Sequence, residues 1–404
     1  MMTFNANHII ICCMDIINDV AIHELLTRGV EEVIEKDKLE AKLKSGELLR
    51  IKLGIDPTSP NIHIGRSVPL FKLRDFQKLG HKVVLIIGDF TGVIGDTSDK
   101  DSERPMLGKE QVKKNMDNYI VQAGKIIDIS KCEIHYNSEW LGKLGYNELC
   151  EQADIFSLSD FISRENIRKR LDGGKRVSLR ELLYPLMQGY DSVAINADVE
   201  LGGTDQRFNL LAGREMQRHY GQMPQDIITN PLIEGLDGRK MSSSWGNTVN
   251  LFDSPNDMYG KIMSLKDEFI IKYFDLTTRV DSDVVESYKK ELGNGANPKN
   301  IKMKLAFELV RFYHSEEDAN KAEEYFISTF SKKEIPSDLM KFKPQEYNII
   351  SVLVESGLVS SRSEAKRVVE QKGIRINGIL VDDVNYNVLP GSALQKGKIN
   401  FMQI

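Results

Sequence analysis

Cysteine is scarce: four residues in 404, at Cys12, Cys13, Cys132 and Cys150, with no Cys-x-x-Cys pair among them. That excludes a disulfide-stapled scaffold and gives a structural zinc site no support, so a reducing, cytoplasmic setting is expected. Long apolar runs are missing as well. Each is interrupted by charge, so no membrane span is expected. The apolar stretch Ile9–Met14 lacks a basic leader and soon meets Asp15 and Asp19. It does not read as a secretion signal; a ragged start upstream of a functional one at Met14 is expected instead. Strong positive charge is also lacking, the net charge being −5. Contact with nucleic acid would therefore depend on a local basic patch rather than on a uniformly positive surface. No long repeat or low-complexity segment is present, and no catalytic triad or paired acid–base carboxylates stand out.

What is present is an ordinary globular composition, 41% hydrophobic and 28% charged, on a chain too long for one compact core. The first half alternates. Leu49–Ile55 reads as a short apolar strand, followed by the break Asp56-Pro57-Thr58-Ser59-Pro60. His63–Leu79 has helical spacing in Leu70, Leu73, Phe76 and Leu79, and Val83–Ile87 is a continuous apolar run suited to a strand buried on both faces. A Gly/Asp/Ser-rich stretch, Gly88–Arg104, comes next, then a helix over Lys109–Ile127, a strand at Glu133–Tyr136, a helix over Ser178–Ile195 and a strand at Val199–Leu201. This alternation predicts an α/β domain, a Rossmann-like parallel sheet wrapped by helices, with ligands at the carboxyl ends of the strands. From about Leu251 the pattern turns helical to Phe330. Ser331–Pro344 reads as a charged linker, and the tail regains β character around Ile374–Val381, where Asn377-Gly378 is a hairpin signal. The expected domains are 1–250 (catalytic, with an N-terminal extension), 251–338 (all-α) and 339–404 (small α+β).

Two motifs carry chemistry. In Gly54-Ile55-Asp56-Pro57-Thr58 and His63-Ile64-Gly65-Arg66 a strand ends, a turn follows and a helix opens. Free N–H groups and the positive end of the helix dipole favour phosphate there. Gly65 lets a flat adenine approach, while Thr58 and His63 can donate to phosphate oxygens. The second motif, Lys240-Met241-Ser242-Ser243-Ser244, follows Gly238-Arg239 and suits a movable clamp on a triphosphate. Taken singly, a histidine at a helix start is more often a cap, and a Ser-rich loop more often ordinary.

Together, in this order, HIGR and KMSSS resemble the paired signature of class I aminoacyl-tRNA synthetases. Three further segments resemble the tyrosyl-tRNA synthetases in particular. The first is Leu183-Tyr184-Pro185-Leu186-Met187-Gln188-Gly189-Tyr190-Asp191, in which Tyr184, Gln188 and Asp191 share one helical face. The others are Gly202-Gly203-Thr204-Asp205-Gln206 and Gly88–Asp96. The resemblance runs from about Glu24 to the C-terminus. It implies that Tyr184, Gln188 and Asp96 meet the ammonium of tyrosine, that Asp191 accepts its phenol, and that Gln206 orients it. It implies an ATP site from Gly54, Asp56, His63, Gly65, Gly203, Asp205, Lys240, Met241 and Ser242. Catalytic assistance would come from Thr58, His63, Arg66, Lys240, Ser243 and the loop cations Lys100 and Arg104. The tail Leu358–Val381 resembles the S-four-type RNA-binding module, a helix pair followed by a hairpin, with Arg362, Lys366, Arg367, Lys372 and Arg375 as a phosphate-facing patch. Glu364 and Glu370 are interleaved with these cations, so each charge alone is also compatible with a solvated helix. The sequence departs from the family at Arg66, where a histidine is usual, at Lys52, where many members carry a tyrosine, and at Asp101, which breaks the basic run of the loop.

The implied reaction is ligation of L-tyrosine to tRNA(Tyr) through tyrosyl-adenylate, with release of pyrophosphate. A carboxylate nucleophile ionised at neutral pH needs no general base, so the lack of a triad is consistent. ATP enters as substrate with Mg2+, no tightly bound cofactor or dedicated metal site is expected, and a homodimer is implied by resemblance. Tryptophanyl-tRNA synthetase and a small-molecule nucleotidyltransferase are the neighbouring enzyme readings. The Tyr184/Gln188/Asp191 face opposes the first, and the helical domain and tail oppose the second. A catalytically inactive, synthetase-derived RNA-binding protein is the alternative from a different class.

Overall fold

The computed structural model describes residues 19–98, 106–331, 339–397 and 400–404. Met14 as a start, Lys100, Asp101, Arg104 and much of the expected linker lie outside them. The chain divides into two compact units, one comprising residues 1–253 and 265–301, the other 254–264 and 302–404.

The first unit is built on a six-stranded sheet: β1 (Glu32–Ile34), β2 (Arg50–Ile55), β3 (Lys82–Ile87), β4 (Cys132–Tyr136), β5 (Val199–Gly203) and β6 (Asp226–Asn230), in the order β1-β6-β5-β2-β3-β4. Five strands run parallel, as the apolar runs of β2 and β3 predict: Ile51, Leu53 and Val83 to Ile87 are buried. The edge adds a strand that the expected parallel sheet did not include, because β1 pairs antiparallel with β6. Three residues are too few to show an alternation, so this strand left no periodic signal. β6 was equally silent, since its sequence, DIITN, is polar at three of five positions. Two of these buried side chains are partnered through one atom each: Asp226 Oδ2 accepts from Lys42 Nζ at 2.7 Å, and Asn230 Nδ2 donates to the Gly29 carbonyl at 2.6 Å, while the Thr229 hydroxyl has no hydrogen-bond partner among the described residues.

The chain runs outward from β2 through β3 to β4, then restarts at β5 on the other side of β2. That reversal leaves a crevice at the carboxyl ends of β2 and β5, where doubly wound sheets bind ligands. The helix Ile64–Lys78 follows β2, with His63 in extended conformation as its cap. The helix Leu179–Ala194 begins at Ser178, whose side chain forms a capping box with Glu181. Expected as one helix, residues 109–127 form two, Lys109–Met116 and Tyr119–Ala123. In the second, Gln122 accepts from Ile62 N–H at 2.7 Å and donates to the Pro60 carbonyl at 3.0 Å, tying it to the turn after β2. Four short helices between Ser138 and Asp172 had no counterpart in the sequence pattern.

In the second unit, the helices Pro255–Met263 and Glu316–Phe326 pack together, with Tyr259 donating to Glu323 at 3.2 Å. The tail forms the helix pair Ile349–Glu355 and Arg362–Glu370, then β7 (Ile374–Ile376), β8 (Ile379–Val381), β9 (Ala393–Lys396) and β10 (Asn400–Gln403). These four strands form an antiparallel sheet in the order β10-β9-β7-β8. Asn377 and Gly378 sit at φ 52° and 80°, the positive pair a two-residue hairpin turn requires. Ile349, Val352, Leu353, Ala365, Val369, Ile374 and Leu394 form the core of this module.

Candidate active site

A cavity of about 610 Å³ opens at the carboxyl ends of β2 and β5. Every candidate residue of the first unit that falls among the described residues lines it: Gly54, Asp56, Thr58, His63, Gly65 and Arg66 from one side, Asp96 from another, Tyr184, Gln188 and Asp191 from their shared helix face, and Gly203, Asp205, Gln206, Lys240, Met241, Ser242 and Ser243 from the opposite wall.

Asp56, at the end of β2, is held by two hydroxyls: Thr91 Oγ1 donates to Oδ1 at 2.8 Å and Tyr184 to Oδ2 at 2.9 Å. Desolvation pushes its carboxyl up to about 6 against these two bonds. Gly88 is required beside it, because a Cβ there would lie 2.0 Å from Asp56 Oδ1. Arg66 points back into the turn, donating to Thr58 Oγ1 at 3.0 Å, to the Asp56 carbonyl at 3.1 Å and to the Tyr119 hydroxyl at 3.1 Å. It thereby fixes the Thr58 side chain. His63 Nδ1 is buried without a hydrogen-bond partner. Burial, with Arg66 and Lys240 nearby, brings its pKa down to about 3, so the ring is neutral.

On the opposite wall Lys240 Nζ meets Asp205 Oδ2 at 2.9 Å. The loop around it is pinned by Asn247, which accepts from Ser242 N–H at 2.9 Å and donates to the Lys240 carbonyl at 3.1 Å. Ser243 Oγ lies 3.4 Å from Ser59 Oγ, so the two motifs touch across the mouth. Gln206 donates to Asp96 Oδ2 at 2.7 Å, and Ser98 caps the other oxygen at 2.6 Å.

At the far end lies Asp191. Trp140 Nε1 donates to its Oδ1 at 2.7 Å, and Asn137 Nδ2 to its Oδ2 at 3.3 Å. Burial pushes this carboxyl up to about 7, while the Lys52 charge and the two donors pull the other way. Trp140, Asn137 and Asn247 were all missed in the sequence; only Trp140, one of two tryptophans, was distinctive enough to be noticed.

A family model described as tRNA synthetases class I (W and Y) matches residues 44–331, and an S4 domain model matches 349–394. The chain belongs to the class I tRNA synthetases. Curated relatives agree: the tyrosine–tRNA ligase of Thermotoga maritima is 46% identical over 386 residues, covering 94% of this chain and 96% of that protein. That of Mannheimia succiniciproducens is 44% identical over 382 residues, with 94% and 97% covered. Among solved structures, a tyrosyl-tRNA synthetase from Archaeoglobus fulgidus complexed with L-tyrosine shares the fold, with a TM-score of 0.61, 24% identity, and 76% of this chain and 99% of that one covered.

In this synthetase the five candidate RNA-binding cations are exposed on the S4 module, Arg362, Lys366 and Arg367 on one helix and Lys372 and Arg375 beyond it. Lys366 lies 3.9 Å from Glu370, and Arg375 donates to the Gly378 carbonyl at 3.1 Å. Among the described residues no cluster of three or more His, Cys, Asp or Glu side chains is arranged to hold a metal ion, and no helix is long and apolar enough to cross a membrane.

Proposed function

We propose that this chain ligates L-tyrosine to tRNA(Tyr) in two steps. The observation that carries the choice of amino acid is Asp191, a carboxylate at the closed end of the cavity whose protein partners, Trp140 and Asn137, are both donors. A ligand completing that site does so by donating, as a phenol does and a phenyl ring does not. Leaving the acceptor unpaired is what rejects phenylalanine, the discrimination for which tyrosyl-tRNA synthetases are the standard example.

In the first step a tyrosine carboxylate oxygen attacks the α-phosphorus of ATP. The bond from that phosphorus to the bridging oxygen breaks, and pyrophosphate leaves with the electron pair. Tyr184, Gln188 and Asp96 hold the substrate ammonium, with Gln206 keeping Asp96 in place, and Asp56, which the resemblance puts in the ATP site, joins them because it accepts from Tyr184. Thr58, positioned by Arg66, and neutral His63 donate to phosphate oxygens. Lys240, with Lys100 and Arg104 from the loop, supplies positive charge as the pyrophosphate departs. Gly54, Gly65, Gly203, Asp205, Met241 and Ser242 bound the adenosine. Mg2+ arrives with the ATP phosphates. In the second step a hydroxyl of the 3′-terminal ribose attacks the tyrosyl carbonyl, loses its proton, and AMP leaves. The helical segment and the S4 module, with its exposed cations, bind the tRNA. The protein works in the cytoplasm as a homodimer, for which the exposed Tyr146, Leu158 and Leu179 offer apolar surface.

Tyrosine-dependent ATP–pyrophosphate exchange tests this reading, with phenylalanine and tryptophan as controls. Exchange with tyrosine alone is expected; folded protein that exchanges with none of the three is an RNA-binding protein instead.

A further inference from the structure

Lys52 lies in the middle of β2, is wholly buried, and does not line the cavity. Isolated charges are rarely tolerated in such a place, so what surrounds its ammonium is informative. Lys52 pairs across the sheet with Glu200 of β5, and its Nζ lies 2.8 Å from Glu200 Oε1. The same ammonium donates to the Gln188 main-chain carbonyl at 2.8 Å and to Ser192 Oγ at 2.7 Å. Glu200 completes the circuit. Its Oε1 accepts from the Gln188 side chain at 3.1 Å, while Oε2 accepts from Ser192 at 3.1 Å and from Gln225. All three donors of the ammonium are thus used, two of them toward one helix, at positions flanking Asp191 in the chain.

That carbonyl sits mid-helix, near where Pro185 and Gly189 weaken the regular ladder. Space for the network comes from Gly213 on the neighbouring helix, where a Cβ would meet Gln225 Nε2 at 2.5 Å and Ser192 Oγ at 3.1 Å.

We infer that the buried Lys52–Glu200 pair is a positioning and specificity device: it clamps the helix bearing Gln188 and Asp191 to the sheet, so that the contacts for the two ends of the amino acid stand at a fixed separation. The inference rests on the proposed roles of those two residues. Lys52 touches no substrate. It acts through the Gln188 backbone and side chain and through its positive charge beneath Asp191, which favours the ionised, accepting form of that carboxylate.

The test is steady-state exchange on the full chain. Lys52→Met leaves Glu200 buried without a counter-charge, so the variant that decides is Lys52→Met with Glu200→Gln, which removes both charges together. Its expected signature is a KM for tyrosine raised about tenfold or more, a KM for ATP within about threefold of the parent, and a tyrosine-to-phenylalanine ratio lowered about tenfold. Lys52→Arg, which keeps the charge and its donors, is expected to fall between the parent and the double variant. Gln188→Ala and Asp191→Ala, measured in parallel, separate the two readings. If neither raises the KM for tyrosine, the site assignment itself fails. If both do and the double variant matches the parent, the clamp is refuted while the site stands. A double variant that does not fold also overturns the proposal, assigning the pair to stability rather than to positioning.

Discussion

The Tyr184 hydroxyl donates to Asp56 Oδ2 at 2.9 Å, joining the helix Leu179–Ala194 to the end of β2 across the floor of the cavity. Asp96 lines the same cavity, and its charge helps to raise the Asp56 carboxyl. Two carboxylates facing one space are relieved by a cation between them, which is the place proposed for the substrate ammonium. Tyr184→Phe removes one of the two donors that hold Asp56 ionised. The expected outcome is a KM for tyrosine raised by roughly tenfold, about the worth of one charge-assisted hydrogen bond, with the KM for ATP little changed. Exchange kinetics decide it: equal effects on both substrates would take Tyr184 out of the ammonium site.

Arg66 stands where the family usually has histidine, yet it is anchored by three protein acceptors. Its proposed work is to hold Thr58 toward the phosphates. Arg66→Lys keeps the charge, but a single ammonium does not span the acceptors a guanidinium fork reaches. A fall in kcat of about ten- to a hundredfold is expected, smaller than the roughly hundred- to thousandfold loss on removing a direct transition-state donor because Arg66 acts through Thr58, with tyrosine binding intact. Full activity in Arg66→Lys would show that charge alone suffices there.

How far this site was legible depends on how local each feature is. HIGR, KMSSS and the 184/188/191 spacing are contiguous and could be read directly. The donors to Asp191 could not, because Asn137 and Trp140 lie 54 and 51 residues away in the chain, and only the packing of β4 beside β3 brings them near. Lys52 was visible as a departure from the family's usual tyrosine, but its meaning depended on Glu200, a cross-strand partner that only the register supplies. Strands β2 and β3 were plain from their apolar runs. β1 and β6 were not, one being three residues long and the other polar, with partners, Lys42 and Gly29, from segments far away in the chain.

Asp56 and Asp191 give the ligand-free protein a pH dependence of definite sign. Their folded pKa values, about 6 and about 7, lie above the ordinary carboxylate value. Between about pH 4 and pH 7 the folded state therefore binds more protons than the unfolded state, so their contribution to stability falls as pH rises through that window. His63, with its pKa at about 3, pulls the other way over the same window, so the difference between parent and variant is the readout: the Tm of the ligand-free parent is expected to fall from pH 5 to pH 7.5 relative to that of Asp191→Asn, which cannot ionise. A parent and variant with parallel Tm profiles would rule out Asp191 as a contributor.

Charge on the S4 module ought to matter for tRNA and not for activation. Arg362, Lys366 and Arg367 are exposed on one helix whose buried side, Ala365 and Val369, holds it to the module core. Replacing all three cations by alanine leaves that buried side intact and raises helix propensity, so folding is not at risk. If these side chains neutralise phosphates, the salt dependence of aminoacylation should weaken, log(kcat/KM) for tRNA losing close to one unit of slope against log salt for each contact removed. The KM for tRNA should rise at moderate salt while tyrosine-dependent exchange stays at the parent rate. A triple variant with unchanged tRNA KM and unchanged salt slope would return these residues to the class of solvated surface charges, a reading that the interleaved Glu364 and Glu370 keep physically reasonable for each charge taken alone.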